Sequence, residues 1–485
     1  MNETPAQPPP AQPPPAQPPP VPPVSSEARA AARWISGRPR PVLKLLTIGG
    51  LILVLLIPLQ MIRGVLTERL VRRNEAVAEI TGTWGGDQTV IGPVLMVPYR
   101  YPVKTVRDQT VDGRVQRVEV EEMGLAQAFF LPDRVEIAGD LDPRVLHRGI
   151  YRAVVYRGRL TIEGAFARPS FEDWRVPPEN VLWEDAAVGF AITDLRGVED
   201  ALQLDWNGRA VPLEPGSLVP GFNVGVTARL RETEALEADD LPFALTLALN
   251  GSNGIRFAPV GARNTARLTS SWPDPSFQGQ FLPADRTVGP EGFEAQWALS
   301  YYGRAYPQQW TVTPGAGARP PALGSALFGV DLRMLVDQYR NVERAIKYGI
   351  LFLVLVFTGF FLFETLGVAR VHPFQYALVG AALCLFYLAL LSLSEFIRFG
   401  AAYLVGAAAA TAMISLYCAS VLRGGRRAAI VAVELAAIYG FLFVLLQLQD
   451  YALLIGTAGL FAALGAVMYL TRNVNWYEQR PASGG

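Results

Sequence analysis

The sequence of 485 residues contains very little cysteine, with two residues in all. Both of them, Cys384 and Cys418, fall within long apolar runs in the last third of the chain. The more polar region between residues 63 and 347 therefore has no thiol, and a domain formed there must fold without a disulfide bond. With about 285 residues, that region is long enough to bury a core of its own.

Histidine is equally scarce, since only His147 and His372 occur. A Ser-His-Asp or Cys-His catalytic site needs a histidine beside its nucleophile. The sequence also lacks an HExxH motif, a Cys/His cluster, a GxSxG motif and a phosphate-binding GxxxxGK[ST] loop. We therefore predict that the protein is not an enzyme and has no metal or cofactor site, and we interpret His147 as a polar residue that precedes a strand.

Carboxylates offer one remaining catalytic interpretation, because a glycan hydrolase needs two of them at a defined separation. Glu184 and Asp185, together with Asp194, are available for this role. Acidic residues are abundant in any domain of this size, so an enzyme is the third interpretation after the two developed below.

An excess of basic charge is also absent, since 43 Lys and Arg residues balance 43 Asp and Glu residues. Proteins that bind nucleic acid need a basic surface to neutralise phosphates, so we predict no nucleic-acid partner. What the chain has instead is apolar residues, which make up 51% of it.

Long apolar runs predict a membrane protein. A helix needs about 20 mostly apolar residues to cross the ~30 Å hydrocarbon core of a bilayer. Runs of this kind occur once near the N-terminus and five times in the last third of the chain, which predicts six transmembrane helices in contact with the lipid bilayer. The predicted spans are Leu45 to Ile62, Tyr348 to Val368, Gln375 to Ser394, Phe399 to Val421, Ala428 to Leu448 and Tyr451 to Leu470.

The first span follows a low-complexity tail in which Ala-Gln-Pro-Pro-Pro occurs three times in residues 6–20. We predict that residues 1–42 form a disordered, proline-rich cytoplasmic tail, with a ligand for a proline-recognising partner as the alternative. A basic region precedes the apolar run, as in a signal peptide. The run is longer than a signal core and lacks a nearby small-residue cleavage site, so we interpret residues 43–62 as an uncleaved membrane anchor.

Arginine is distributed unevenly among the short loops between spans. Arg370, Arg423, Arg426 and Arg427 would lie inside if the N-terminus is inside, whereas the short outer loops hold only Arg398. Because cytoplasmic loops collect Lys and Arg, we predict that both termini, including residues 471–485, are cytoplasmic. Residues 63–347 would then form an exported domain between the first span and the five-helix block of residues 348–470.

Within the exported region the apolar pattern has a period of two, which is typical of strands. Short runs rich in Val, Leu, Phe or Tyr are mostly bounded by Gly, Pro, Asn or Asp, which favour turns. We predict an all-β, sandwich-like domain of mainly antiparallel strands, framed by helical stretches at residues 63–80 and 331–347. The predicted strands include residues 90–98, 115–120, 153–156, 187–192, 222–230, 243–249, 266–270 and 293–301.

Separated motifs along the chain resemble one known family. They include Ile57-Pro58-Leu59, Trp84-Gly85, Gly92-Pro93, Arg148-Gly149-Ile150-Tyr151, Asp194-Leu195-Arg196-Gly197, Ser271-Trp272-Pro273-Asp274-Pro275-Ser276-Phe277, Pro307-Gln308-Gln309-Trp310, Arg344-Ala345-Ile346-Lys347-Tyr348-Gly349, His372-Pro373-Phe374-Gln375-Tyr376 and Arg472-Asn473-Val474-Asn475-Trp476-Tyr477. In this order they resemble the CreD family of cell envelope integrity proteins, from about residue 43 to the end of the last motif.

The resemblance implies a multi-pass protein of the Gram-negative inner membrane with a role in envelope integrity and in the response to β-lactam stress. It implies no catalytic site. We accordingly expect a periplasmic domain that binds a cell-wall, lipid or envelope-protein partner, in an oligomeric state that the sequence does not define.

Two sets of residues are candidates for function. The first is the loop of residues 271–277, where Trp272 and Phe277 are potential anchors for a partner and Pro273 and Pro275 limit the entropy lost on binding, with Asp274 and Ser276 between them. The alternative for this loop is that both rings fill the β core.

The second set is the intramembrane carboxylates Glu364 and Glu434, because charges in hydrocarbon are costly and are often functional. Pairing with nearby arginines or snorkelling would explain them without a function. If both faced one polar cavity, they would favour our second interpretation, a transporter or flippase-like component.

Overall fold

The fold is known from a computed structural model that describes residues 40–111, 114–198, 201–231, 238–314, 319–334, 338–366, 371–421, 425–448 and 451–473. The proline-rich repeat and the end of the C-terminal tail lie outside these ranges. The chain divides into two compact units. A β-rich unit contains residues 64–341 and 394–397, and a helical unit contains the rest.

The helical unit is built from the apolar runs of the sequence. Within the described residues, five helices are long and apolar enough to cross a membrane, or six if one bent pair counts as a single span. The helices are α1 (Arg40–Trp84), α2 (Gln338–Lys347), α3 (Gly349–Thr365), α4 (Pro373–Ser394), α5 (Phe399–Val421), α6 (Gly425–Gln447) and α7 (Ala452–Thr471). The last four agree with the predicted spans to within three residues at each end.

The bent pair is α2 and α3, which meet at Tyr348 with an angle of 47°. The apolar part, α3, is 17 residues long, slightly short of the ~20 residues of an ordinary span. The Arg344 guanidinium of α2 donates hydrogen bonds to the carbonyls of Leu446 (3.0 Å) and Leu445 (3.4 Å) near the end of α6. These bonds satisfy carbonyl groups that the end of a helix leaves without intrahelical partners. The six-span count remains a prediction, because α3 is long enough to count as a membrane span only when α2 is included with it.

Helix α1 contains 45 residues, which corresponds to a length of about 68 Å at ~1.5 Å per residue. That is more than twice the thickness of the hydrocarbon core, so α1 continues well past its apolar N-terminal half. The predicted helical stretch at residues 63–80 is part of this helix, which ends four residues later, at Trp84. Strand β1 begins at Gln88, immediately after the helix.

The β-rich unit contains sixteen strands in one continuous sheet. They are β1 (Gln88–Val111), β2 (Arg114–Phe130), β3 (Arg134–Arg148), β4 (Tyr151–Ala167), β5 (Ala187–Ile192), β6 (Gln203–Trp206), β7 (Arg209–Pro215), β8 (Gly225–Arg229), β9 (Asp240–Ser252), β10 (Gly254–Phe257), β11 (Arg263–Ser270), β12 (Pro275–Gly279), β13 (Asp285–Gly289), β14 (Gly292–Ser300), β15 (Gln309–Val312) and β16 (Phe328–Leu332). The β-rich character of the predicted domain is thereby confirmed, but the described strands form one continuous sheet and not the two packed sheets of the predicted sandwich.

The strand order is β12-β16-β10-β1-β5-β8-β7-β6-β9-β4-β3-β11-β14-β13, with β2 beside β1 and β15 beside β2. Two of the pairings, β1 with β10 and β3 with β11, are parallel. The two ends of this order approach each other, because the Phe277 ring of β12 packs edge-on against Phe293 and Trp297 of β14 at 5.8 and 5.9 Å between ring centroids. The sheet is therefore nearly closed, and both of its halves contribute to a single core.

Every second side chain of the longer strands points into this core. Strand β9, for example, alternates between exposed or half-buried and buried positions from Asp240 to Leu249, as expected for a sheet with one apolar face. The largest fully buried side chains of the unit are Tyr156, Phe166, Phe190, Trp206, Phe257, Trp297 and Phe328. Burial of this set, without any disulfide, is what stabilises the unit.

One element of the sequence prediction is wrong. We expected a helix over residues 331–347, but Asp331 and Leu332 belong to β16, and α2 begins only at Gln338. In β16, Asp331 lies opposite Gly254 of β10, and its carboxylate accepts a hydrogen bond of 2.7 Å from Arg256. A partner strand almost eighty residues away along the chain thus determines the local structure, which a local pattern does not reveal.

Candidate functional site

The most extensively bonded polar side chain of the β-rich unit lies where α1 ends. Asp194 follows β5, and its buried carboxylate accepts hydrogen bonds from the backbone N–H groups of Gly86 and Arg196, both at 3.0 Å. It also accepts bonds from the Arg196 guanidinium, at 2.9 Å from Nε and 2.6 Å from Nη2. The same guanidinium donates to the carbonyl of Gly82 in the last turn of α1, at 2.6 Å. We call Gly82, Gly86, Asp194 and Arg196 the Asp194 cluster.

The electrostatics of the Asp194 cluster follow from these bonds. Hydrogen bonds from the Arg196 side chain, followed by those from the backbone N–H groups, stabilise the charged carboxylate and lower the pKa of Asp194 to about 2. Asp194 is therefore ionised at neutral pH and has no proton to give as a general acid. The cluster ties the end of α1 to the strand β5 region, and Arg196 satisfies one of the carbonyl groups left open at the helix end.

Close backbone approach makes the cluster possible. Gly85 has a φ of 147°, and a Cβ atom there would lie 2.6 Å from the carbonyl oxygen of Asn250. A Cβ atom at Gly197 would also lie 2.6 Å from Asn250, from its backbone nitrogen and its Cβ atom. The fully buried Gln88 joins these segments, because its side-chain amide donates to the carbonyls of Asp194 (3.1 Å) and Asn250 (2.8 Å). Three separate parts of the chain thus meet at the end of α1.

A surface cleft of about 560 Å³ opens beside the cluster. Its lining consists of Gly86, Asp87, Thr193, Asp194, Leu195, Arg196 and Val224. The two charges at its centre, on Asp194 and Arg196, already neutralise each other. This arrangement is suited to anchoring the helix rather than to proton transfer or to binding a charged ligand.

A second cleft, of about 480 Å³, lies over strands β3, β4, β11 and β14. Glu136 of β3 and Glu163 of β4 line it and lie directly opposite each other in the strand register. Sequence reasoning missed this carboxylate pair, because only the register of the β3–β4 hairpin brings the two residues together. Glu184 and Asp185, which the sequence offered instead, lie in an exposed 3₁₀ turn at Trp183–Asp185, and neither lines this cleft.

His147 is also exposed, and it lies near the end of β3 opposite Arg152 of β4. The prediction that His147 precedes a strand is wrong, because His147 lies within β3, next to the last residue of that strand. Among the described residues, no group of three or more His, Cys, Asp or Glu side chains is arranged to hold a metal ion.

The predicted recognition loop of residues 271–277 leads from β11 into β12. Its two aromatic side chains are half-buried and pack against the main core. The Trp272 indole N–H donates to the carbonyl of Arg333 at 3.1 Å. Pro273 is the exposed residue between them, followed by the half-buried Asp274, Pro275 and Ser276. Among the strands that the structure describes, β12 pairs with β16 alone and stands at one end of the strand order.

The two intramembrane carboxylates have different surroundings. Glu364, near the end of α3, forms an ion pair with Lys44 of α1, and Lys44 also donates to the carbonyl of Val371 at 2.7 Å. Arg370, which the sequence offered as a partner, lies outside the described residues. Glu434 is the tenth of the 23 residues of α6. Its Oε2 atom is buried and has no hydrogen-bond partner within the described part of the chain.

Apolar helices of spanning length, with a large β-rich domain inserted after the first of them, define a multi-pass membrane protein. Comparison with known families then shows to which family of membrane proteins the chain belongs. The family model described as "Inner membrane protein CreD" matches residues 40–477, so the chain belongs to the CreD family, as its motifs indicated.

The inner membrane protein CreD of Escherichia coli (strain K12) is similar to this chain. The two chains are 32% identical over 437 residues, which cover 90% of this chain and 93% of the relative. The family-model match begins at residue 40, close to the start of the first predicted span, and the proline-rich repeat lies outside it. The protein is therefore a multi-pass inner membrane protein of this family.

Proposed function

We propose that the protein supports the integrity of the cell envelope, as a non-enzymatic component of the inner membrane that acts during envelope and β-lactam stress. In this proposal both termini are cytoplasmic, the β-rich domain lies in the periplasm, and that domain binds a cell-wall, lipid or protein partner. The arginine distribution among the short loops supports this orientation.

The observation that carries the proposal is the Asp194 cluster. A domain that binds a partner in the envelope must remain firmly held against its membrane helix when the bound partner exerts force on it. The cluster supplies a charge-assisted attachment at the end of α1, in which the Asp194 carboxylate is buried and the Arg196 side chain is exposed, and such bonds are stronger than those between neutral groups. In the described residues, the second cleft holds the Glu136–Glu163 pair together with Asp285 and Arg267 on an open sheet face, and it shows no comparable bonded network.

We place the partner-binding surface on the 271–277 loop, at the exposed Pro273 and its neighbour Asp274. Trp272 and Phe277 hold the loop against the core, so the loop is already ordered and loses little entropy on binding. The adjoining strand β12 is an end strand, and an end strand offers unpaired backbone groups to an incoming chain.

The test uses site-specific photo-crosslinking in living cells. A photoreactive amino acid replaces Pro273 in one version of the full chain and Met123 in another. Met123 is the matched control, because it is exposed and lies in β2, opposite Pro102 in the β1–β2 hairpin. We expect a crosslink to an envelope component from position 273, stronger under β-lactam stress, and none from position 123.

The functional readout is survival under a β-lactam in cells that carry Asp274→Lys as the only copy. We expect reduced survival at an unchanged protein level, because this substitution alters the loop surface and leaves the aromatic packing intact. Phe277→Ala is not informative, since truncating a buried Phe costs about 3–5 kcal/mol of stability. Full survival of Asp274→Lys, together with loss of survival in Glu136→Gln, would reject the loop and favour an enzyme that uses the carboxylate pair.

A further inference from the structure

In the described part of the helical unit, the Glu434 carboxylate has no counter-ion and one oxygen without a hydrogen-bond partner. Glu434 lies two residues before Ala436, the central residue of α6, and at 1.5 Å per residue this is about 3 Å from the middle of the helix. Its carboxylate fills the space next to Gly359 of α3, where a Cβ atom would collide with Glu434 Oε1. The absence of a side chain at position 359 thus makes room for the carboxyl group between α3 and α6.

The other intramembrane carboxylate provides an internal comparison. Glu364 has the ammonium group of Lys44 as its counter-ion, so its negative charge is compensated. Glu434 has no hydrogen-bond partner for Oε2 among the described residues. An ionised, uncompensated carboxylate near the middle of a hydrocarbon layer is strongly disfavoured.

Groups within electrostatic range of Glu434 come from two of the other helices, α4 and α5. Helix α5 contributes the thiol of Cys418, and α4 contributes the hydroxyl of Tyr376, both within electrostatic range of the Glu434 carboxyl. Glu364 of α3 also lies within range of Tyr376. Helix α7 has no charged residue between Ala452 and Thr471. None of these neighbours is a cation that would hold Glu434 in its ionised form.

Further buried hydroxyl groups lie in the same helices without a partner. The Tyr376 side chain is only 1% exposed, and its hydroxyl has no hydrogen-bond partner in the described residues. The same is true of the hydroxyls of Tyr387, Tyr439 and Ser415. Buried polar groups are ordinarily paired with protein or with ordered water. These four hydroxyls on α4, α5 and α6 therefore keep the capacity to donate or accept a further hydrogen bond.

We propose that Glu434 is a proton-binding site within the helical unit, at which the carboxyl group carries a proton at neutral pH. Tyr376, between the Lys44–Glu364 ion pair and Glu434, is the neighbouring group through which a proton would reach it. Binding places the proton on a carboxylate oxygen and removes the negative charge, so no other reactant is needed. This proposal is independent of the envelope role proposed above.

The experiment is infrared spectroscopy of the full-length purified protein in detergent, because a protonated carboxyl group absorbs where a carboxylate does not. At pH 7 we expect this absorption in the wild-type protein and in Glu364→Gln, and its loss in Glu434→Gln. Glu364→Gln is the matched control, since it alters an intramembrane carboxylate of the same length that has a counter-ion. Absence of the absorption from the wild-type protein at pH 7 would overturn the proposal.

A second measurement assigns the residue without relying on a variant. An apolar carbodiimide reacts with protonated carboxyl groups: the carboxyl oxygen bonds to the central carbon, the proton moves to nitrogen, and the acyl group then migrates to nitrogen as a stable adduct. Mass spectrometry of wild-type protein treated at pH 7 should find the adduct on Glu434 and not on Glu364. Addition of Na⁺ should leave both readouts unchanged. An absorption that persists in folded Glu434→Gln, an adduct on Glu364 alone, or displacement of the proton by Na⁺ would each reject the proposal.

Discussion

Loss of the Asp194 carboxylate should weaken the β-rich unit by an amount that depends on pH. The pKa of Asp194 is about 2, against an ordinary value of 3.8, and one pKa unit corresponds to about 1.36 kcal/mol. Because the Arg196 side chain is largely exposed and solvent screens its charge, these interactions contribute at most about 2 kcal/mol to the free energy of unfolding. Because the pKa is lowered in the folded state, this stability is fully present above about pH 5 and is lost as the pH falls towards 2.

The perturbation is Asp194→Asn, and the assay is urea unfolding of the full chain in detergent, followed by tryptophan fluorescence. Seven of the nine tryptophans lie between residues 84 and 310, so the signal reports mainly on the β-rich unit. At pH 7 we expect the variant to be less stable than the wild type by at most about 2 kcal/mol. This difference should shrink towards zero as the pH is lowered, since the wild-type carboxylate then becomes protonated.

The chain supplies a matched control in a second Asp-x-Arg sequence. Asp142 and Arg144 form an ion pair of 3.0 Å, with more than half of each side chain exposed. Exposed ion pairs contribute at most about 1 kcal/mol, so Asp142→Asn should change stability little at any pH. If Asp194→Asn gave a curve parallel to that of the wild type from pH 7 to pH 2.5, the carboxylate would not be coupled to folding as the structure indicates.

Two further predictions concern topology and the carboxylate pair. Reporter fusions after residues 20, 200, 425 and 480 should report inside, outside, inside and inside, because the arginine distribution is consistent along the chain; a C-terminus outside would exclude the six-span arrangement. Glu163→Lys should raise the free energy of unfolding by about 0.2–1 kcal/mol, since it replaces like charges directly opposite each other on β3 and β4 with an ion pair. Thr161→Lys, opposite Ala138 on the same strands, is its control in urea unfolding and should bring no such gain.

Much of the helical unit could be predicted from the sequence, because each span is a local property of its own residues. The apolar run from Phe399 to Val421 is itself the helix. Strands with strong β-branched or aromatic patterns, such as Ala187–Ile192, were predicted for the same reason. The sheet order was not predictable, since β1 pairs with β5, β10 and β2 through contacts that no local pattern encodes.

For the candidate sites, too, the sequence predicted local features and did not predict contacts between distant residues. Glu364 and Glu434 stand out in the sequence because they interrupt apolar runs, yet their difference depends on Lys44, which is 320 residues from Glu364 along the chain. In the sequence, Asp194 was noticed as a possible catalytic carboxylate and as part of a family motif. Its role became visible once the fold brought Gly82 and Gly86 to it. The Glu136–Glu163 pair left no signal in the sequence at all.

The parallel pairing of β1 with β10 has a consequence for how the protein is made. Gln88 lies opposite Ile255 in the register, so 167 residues must follow Gln88 before its partner exists. At a synthesis rate of ~5–20 residues per second, that interval lasts about 8 to 33 s. During this time α1 is already available as an anchor, while Gln88–Val90 at the start of β1 lack their β10 partners and stay open to misassociation. We therefore expect the nascent domain to need protection until β10, and then β16, have been synthesised.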